Sequence, residues 1–382
     1  MKRVGNLWQS VVAWENLLLA ARKAQRSKRD RASVQRFNFN QEGELLTLQR
    51  ELCDGTYRPG PFTTHWIIRP KPRLISAAPY RDRVVHHALM NVLEPMLDRH
   101  FHQHSYACRK GMGTHAAADR LQHLMRRYRY VLQCDIRKFF PSIDHAIIKQ
   151  TFRRLIKDPR VLGLMDMIVD NSNEQEAVTN WFGGDELWTP LERRKGLPIG
   201  NLTSQWFANW MLNGLDYFVT HELGFGAYVR YCDDFLILHS DRQCLREAAD
   251  SVAHYLAGVR LRLHEEKMAV RTVAEGVPFV GFRIWPSHRT IRKENVRSFR
   301  RRVRWMQRSY RDGIIGRDEV RMRLAGWLGH ARQANSVRLL NRLSAEWTFA
   351  RGGAKNVSGG AGRLLEQQPK ELPIGEPQQE HA

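Results

Sequence analysis

Two neighbouring carboxylates set between apolar runs constrain this chain more than any other feature. Ala227–Tyr231 and Phe235–Leu238 flank Cys232-Asp233-Asp234, a hairpin pattern with its acids at the tip. A third carboxylate, Asp135, ends the apolar run that begins at Tyr130. Acids so placed oppose core burial unless they are solvated at a strand end or bind a cation. If the two strands are neighbours, their ends bring Asp135 and Asp233 together. Such a cluster suits two Mg²⁺ ions roughly 3.5–4 Å apart, an arrangement for in-line phosphoryl transfer. The plainer alternative is an ordinary turn, where Asp is common.

The charge balance bears on partners. Sixty-one Lys+Arg against thirty-nine Asp+Glu leave +22 over 382 residues, so the surface attracts a polyanion. A chain that bound only small acids would not need that excess. Eleven Trp, ten Tyr and sixteen Phe exclude disorder throughout, and the length accommodates one large domain or several lobes. Five cysteines, without a CxxC pair, indicate neither a disulfide scaffold nor a zinc ribbon, and a reducing, cytoplasmic setting is expected. Val11–Ala21 is broken by Glu15 and Asn16 and reads as an amphipathic helix; neither a signal peptide nor a membrane span is expected.

Apolar periodicity predicts helices over 7–25, 41–53, 82–98, 114–127, 143–156, 203–222, 242–257, 294–312 and 317–347. Strands are expected at His65–Ile68, at Tyr130–Asp135, in the two hairpin runs, and around 259–263, 268–273 and 278–285. The span 157–195 reads as polar and irregular, and the Gly-, Pro- and Gln-rich tail from Gly352 as disordered. Hairpins without βαβ crossovers make the fold class α+β. Arg297, Arg300, Arg301, Arg302, Arg304, Arg308 and Arg311, with Trp305 and Tyr310 interleaved, form either a contact with a duplex backbone or a solvated face. His100, His102 and His104 alternate without a fourth ligand and are expected to be structural, and Cys232 is expected to pack.

Tyr231-Cys232-Asp233-Asp234 resembles the YxDD box of reverse transcriptases, and Cys134–His145 resembles their first palm motif. Gly196–Gln205 stands in the place of the LPQGxxxSP segment. Leu263–Lys267 and Phe279–Phe282 resemble the next two blocks, and Ile68–Asp82 and Tyr106–Gly113 the fingers motifs. The resemblance runs over roughly residues 55–290. Group II intron and retron enzymes usually place Gln where Ile199 stands and Pro where Gln205 stands. The string Gly196-Leu197-Pro198-Ile199-Gly200-Asn201-Leu202-Thr203-Ser204-Gln205 resembles the enzymes of diversity-generating retroelements, which copy a template RNA with errors at adenines to rewrite a variable gene.

The resemblance implies a right-hand polymerase with fingers, an antiparallel-sheet palm and a helical thumb. The boundaries are an N-terminal helical extension (1–54), fingers (55–128), palm (129–150), an insertion (151–195), palm again (196–288), thumb (289–350) and a disordered tail (351–382). It implies RNA-directed DNA synthesis with two Mg²⁺ (or Mn²⁺) ions held by Asp135, Asp233, Asp234 and the Ile136 carbonyl. Arg73, Lys71, Phe140, Ile199, Gly200, Gln205 and Lys267 then face the nucleotide. Arg73 grips the triphosphate, Phe140 gates the ribose 2′-OH, and Lys267 neutralises or protonates the departing pyrophosphate. Each has a plainer alternative: a solvated arginine, a core aromatic like Phe139, a surface lysine. The implied partners are template RNA, the RNA–DNA hybrid, dNTPs and a small basic pentameric accessory protein, in a bacterial or phage-encoded setting. Two other readings remain: a retron or defence reverse transcriptase, and a group II-intron-like maturase acting mainly as an RNA-binding splicing cofactor.

Overall fold

Along Tyr130–Asp135 the side chains alternate, Leu132 and Cys134 to one side and Val131 to the other, and all three are buried. A strand apolar on both faces needs cover on both, and the computed structural model, which describes residues 3–68 and 71–351, supplies it. The strands are β1 (Thr63–Ile67), β2 (Arg73–Ala77), β3 (Tyr130–Asp135), β4 (Tyr228–Tyr231), β5 (Asp234–His239), β6 (Ala269–Thr272), β7 (Val277–Phe279), β8 (Phe282–Ile284) and β9 (Arg289–Ile291). The central sheet has the order β4-β5-β3-β6 and is antiparallel throughout. Leu132, Cys134, Tyr228, Phe235 and Ile237 join the larger core with the helices Tyr80–His100, Leu202–Met211 and Arg242–Gly258. Val131, Val229, Leu236 and Leu238 pack instead with the helix Thr114–Met125 and with Phe279 and Phe282. The α+β class expected from the hairpins is what forms.

Several elements depart from the expected ones, each for a local reason. Pro159–Asp170, expected to be irregular, is a helix: Asp158 caps it through the N–H groups of Arg160 and Val161, and Pro159 sits where no N–H is needed. The run 203–222 is divided into Leu202–Met211, Asn213–Tyr217 and a π-turn, Phe218–Glu222. Residues 259–263 form no strand; Leu263 alone makes a bridge, to Ile136. The run 278–285 folds back as the β7–β8 hairpin around Val280 and Gly281, both at positive φ. A β-branched residue in that region is strained. The basic run 26–31 leads into a further helix, Ala32–Phe39, and β2 and β9 are strands that the apolar pattern does not announce. The run 317–347 is two helices, Arg317–Ala331 and Val337–Ser344.

Among the described residues the chain divides into two compact units, the first within residues 3–297 with Gly329–Val337, the second Ser298–Leu328 with residues 338–351. In the second, Phe299 stacks on Trp327 with ring centroids 3.7 Å apart, and Trp347 meets Phe299 edge-on. The expected tail lies, from residue 352 onward, outside the described residues. All five cysteines are free, and among the described residues no helix is long and apolar enough to cross a membrane.

Candidate active site

The register of the central sheet decides where the acids meet. β3 and β5 pair so that Asp135 lies directly opposite Asp234, and the β4–β5 turn consists of Cys232 and Asp233 alone. Asp234 is therefore the first residue of a strand, a correction to the expectation that both acids occupy the tip. The Ile136 N–H donates to the Asp233 carbonyl at 3.3 Å, which ties the end of β3 to the turn. Cys232 has φ +59°, a conformation that a two-residue hairpin of the II′ kind requires and that glycine usually supplies.

These acids line a cleft of about 890 Å³. Lys71, Arg73, Ile136, Phe140, Ile199 and Lys267 line it too, so the structure brings together most of the residues singled out in the sequence. Gly200 and Gln205 are not among the lining residues, and Gln205 is exposed on the helix Leu202–Met211. Phe140 is half-buried, its ring 5.5 Å from that of the buried Phe139. Gly200 has φ +117°, and a Cβ there would lie 2.9 Å from the Ile75 side chain. That close approach serves a clip. The Ser76 N–H donates to the Ile199 carbonyl at 2.9 Å, the Asn201 amide donates to the Ser76 carbonyl at 2.9 Å, and the Ala78 N–H donates back to Asn201 at 3.2 Å. Ile199 is thereby held against β2, which carries Arg73.

The electrostatics are divided. Burial and the charge of Asp233 push the Asp234 carboxyl up to about 7, opposed by the Gln133 side chain and Arg292. Burial also raises Asp233, and Arg73 pulls it back. Lys267 is lowered by burial first, then by Lys71 and Arg73, while its ammonium contacts the Asp135 carboxylate. Hard oxygen donors of this kind suit Mg²⁺ or Mn²⁺. The Asp234 Oδ1 atom is buried without a hydrogen-bond partner, an orphan that a cation would satisfy. Even so, among the described residues no three His, Cys, Asp or Glu side chains are grouped as ligands. Asp135 is engaged by Lys267 instead.

The alternating histidines are structural. His100 bonds the Met96 carbonyl, His102 accepts from the His104 N–H, and the His104 ring meets Arg120. One residue escapes the sequence reading altogether. Arg230, in the strand before the acids, is fully buried. The signal was present: a lone arginine in an apolar strand must find partners.

A family model described as reverse transcriptase (RNA-dependent DNA polymerase) matches residues 66–284. The chain is similar to Protein YkfC of Escherichia coli strain K12, 24% identical over 294 residues, 66% of this chain and 72% of that protein. It is 25% identical over 183 residues to the group II intron-encoded protein LtrA of Lactococcus lactis, covering 47% of this chain and 28% of LtrA. It is also 25% identical over 108 residues to the mitochondrial nuclear intron maturase 1 of Arabidopsis thaliana, 28% of this chain and 15% of that one. The match thus spans most of YkfC and less than a third of the two intron proteins.

Proposed function

Because the chain belongs to the reverse transcriptase (RNA-dependent DNA polymerase) family, we propose that it copies an RNA template into DNA, working with a structured RNA as a reverse-transcriptase/maturase-like protein of the group II intron type. The observation that carries this is the β3–β5 register, which sets Asp135 opposite Asp234 and beside Asp233 in a cleft that also holds Lys71, Arg73 and Lys267. Residues 55–128 then serve as fingers, 129–150 and 196–288 as palm, 151–195 as an insertion between fingers and palm, and 289–350 as thumb. The arginines of the helix Lys293–Arg311 contact the duplex backbone.

Asp135, Asp233 and Asp234 would hold two Mg²⁺ or Mn²⁺ ions, with the Ile136 carbonyl. When bound, such ions make a primer 3′-OH a better nucleophile and offset charge on the phosphates. Arg73 and Lys71 bind the dNTP triphosphate, the guanidinium in two-pronged fashion. Phe140 fills the space beside the ribose 2′ carbon and excludes a hydroxyl. The Lys267 Nζ, its proton loosened by burial and then by Lys71 and Arg73, gives charge or a proton to pyrophosphate as it leaves.

The similarity to intron proteins supports an intron-like role for the RNA partner over targeted mutagenic copying. A second reading has its own observation. Ile199 lines the cleft with an apolar side chain that donates no hydrogen bond, as the diversity-generating resemblance requires, and a basic accessory protein belongs to that reading. Primer extension on an RNA template with dNTPs tests the main proposal. Template-dependent cDNA that needs Mg²⁺ or Mn²⁺ supports it, and RNA binding with no extension under either metal overturns it.

A further inference from the structure

The strand that delivers the acids contains a fully buried ion pair. Arg230 and Asp216 are both 0% exposed. The Arg230 Nε donates to Asp216 Oδ1 at 2.6 Å and Nη2 donates to Asp216 Oδ2 at 2.5 Å, while the Tyr228 hydroxyl donates to the same carboxylate at 2.7 Å. Nη1 donates to Asn209 Oδ1 at 2.6 Å, and Nη2 to the Ser105 hydroxyl at 2.9 Å. One contact leaves the core: Nη1 also donates to the Cys232 carbonyl at 3.0 Å. The backbone around Arg230 is fixed as well, its N–H donating to His104 and its carbonyl accepting from Tyr106, each at 2.9 Å.

Stability alone does not call for this arrangement. Well-packed apolar residues commonly replace a buried ion pair without loss. What apolar residues cannot do is hold a carbonyl. The Cys232 carbonyl belongs to the residue with φ +59°, and a non-glycine backbone stays in that region only where its surroundings enforce it. Asp233 is the next residue.

We propose that Arg230, held by Asp216, is a positioning residue: its guanidinium fixes the Cys232 carbonyl and so keeps the strained turn that presents Asp233 to the cleft. Lysine cannot replace it, because one ammonium does not span Asp216, Asn209, Ser105 and Cys232 together. The proposal rests on the polymerase reading for its effect on rate, and on hydrogen bonding alone for its effect on the turn.

The test compares wild type, Arg230→Lys, and Arg230→Lys with Cys232→Gly. In Arg230→Lys, amide exchange over residues 231–234 accelerates. Extension kcat falls roughly a hundredfold, as a misplaced reacting group would cause. The KM for dNTP and the affinity for template–primer stay unchanged, and more Mg²⁺ is needed for half-maximal rate. Glycine at 232 adopts positive φ freely, so the double variant regains at least tenfold of the lost rate. If Arg230→Lys does not fold, Ser105→Ala makes the same comparison with the ion pair intact: a smaller loss, again recovered by Cys232→Gly. Unchanged exchange at the turn, or a loss of rate that follows thermal stability without recovery by glycine, would overturn the proposal. Wild type without extension would sink the polymerase reading instead, and the exchange measurement would still decide what Arg230 does to the turn.

Discussion

Two hairpins end at the same cleft and are built in opposite ways. In β4–β5, Tyr228 to Arg230 and Phe235 to Leu238 are buried, β5 pairs on both sides, and the turn is held by Arg230. In β1–β2, every residue of β1 is exposed, the sheet has two strands among the described residues, and its cleft-side cations Lys71 and Arg73 are exposed. The difference follows the chemistry proposed for each. Carboxylates that must hold geometry to a fraction of an ångström belong on an over-determined element. Cations that receive and release a triphosphate tolerate, and use, a less constrained one.

The clip through Asn201 is where this contrast is easiest to break. It is buried and joins the exposed hairpin to Ile199. Asn201→Ala leaves the Ser76 carbonyl and Ala78 N–H without their partner, at about 1–3 kcal/mol for a buried orphan. The expected result is a lowered unfolding midpoint and a KM for dNTP raised roughly tenfold, with kcat changed less. A fall in kcat at constant KM would show that the clip serves the acids, and the contrast would fail.

Ile199→Gln makes a smaller change at the same junction. A hydrogen bond is worth roughly 0.5–1.5 kcal/mol net, about threefold to tenfold in error frequency. On the mutagenic reading, the variant lowers misincorporation opposite template adenine more than opposite the other bases. Sequenced cDNA from both enzymes on one template checks this. An equal change at all four bases would leave Ile199 a packing residue and favour the intron-like reading.

The smallest effect on the reaction itself lies on the packed side, where the change is one of stability. His86 is buried within 3.4 Å of the Thr203 hydroxyl, and burial, with His87 and Arg83, lowers its pKa to about 3. A folded state that refuses a proton which the unfolded chain accepts near 6.5 loses stability as pH falls from about 6.5 towards 3. His86→Gln therefore flattens the slope of unfolding free energy against pH over that window. A slope unchanged from wild type would place the acid sensitivity elsewhere.

These contrasts also mark what the sequence makes legible. Tyr130–Asp135 is a strand at the expected bounds, because an apolar run with both faces buried is defined by composition alone. The acids of 233 and 234 are legible as a hairpin, but their division between turn and strand depends on a register that only the partner strand sets. The helix Pro159–Asp170 is hidden inside a span that reads as polar and irregular as a whole, although Asp158-Pro159 is a cap and a first helical residue. Tertiary partners are the least visible. Arg230 meets Asn209, Asp216 and Ser105, and no spacing rule connects those positions. Gln205 shows the converse: a residue that a family pattern puts at the nucleotide stands exposed on a helix and is not among those lining the cleft.

The central claim is that Asp135 and Asp233 act together although nearly a hundred positions separate them. Primer extension on RNA by wild type, Asp135→Asn and Asp233→Asn, each first checked for folding and template–primer binding, tests it directly. Both variants should bind as wild type does and lose extension by about a hundredfold to a thousandfold, the range seen when a charge-stabilising group is removed from a preorganised site. Extension by either variant within tenfold of wild type, in Mg²⁺ buffer, would contradict it.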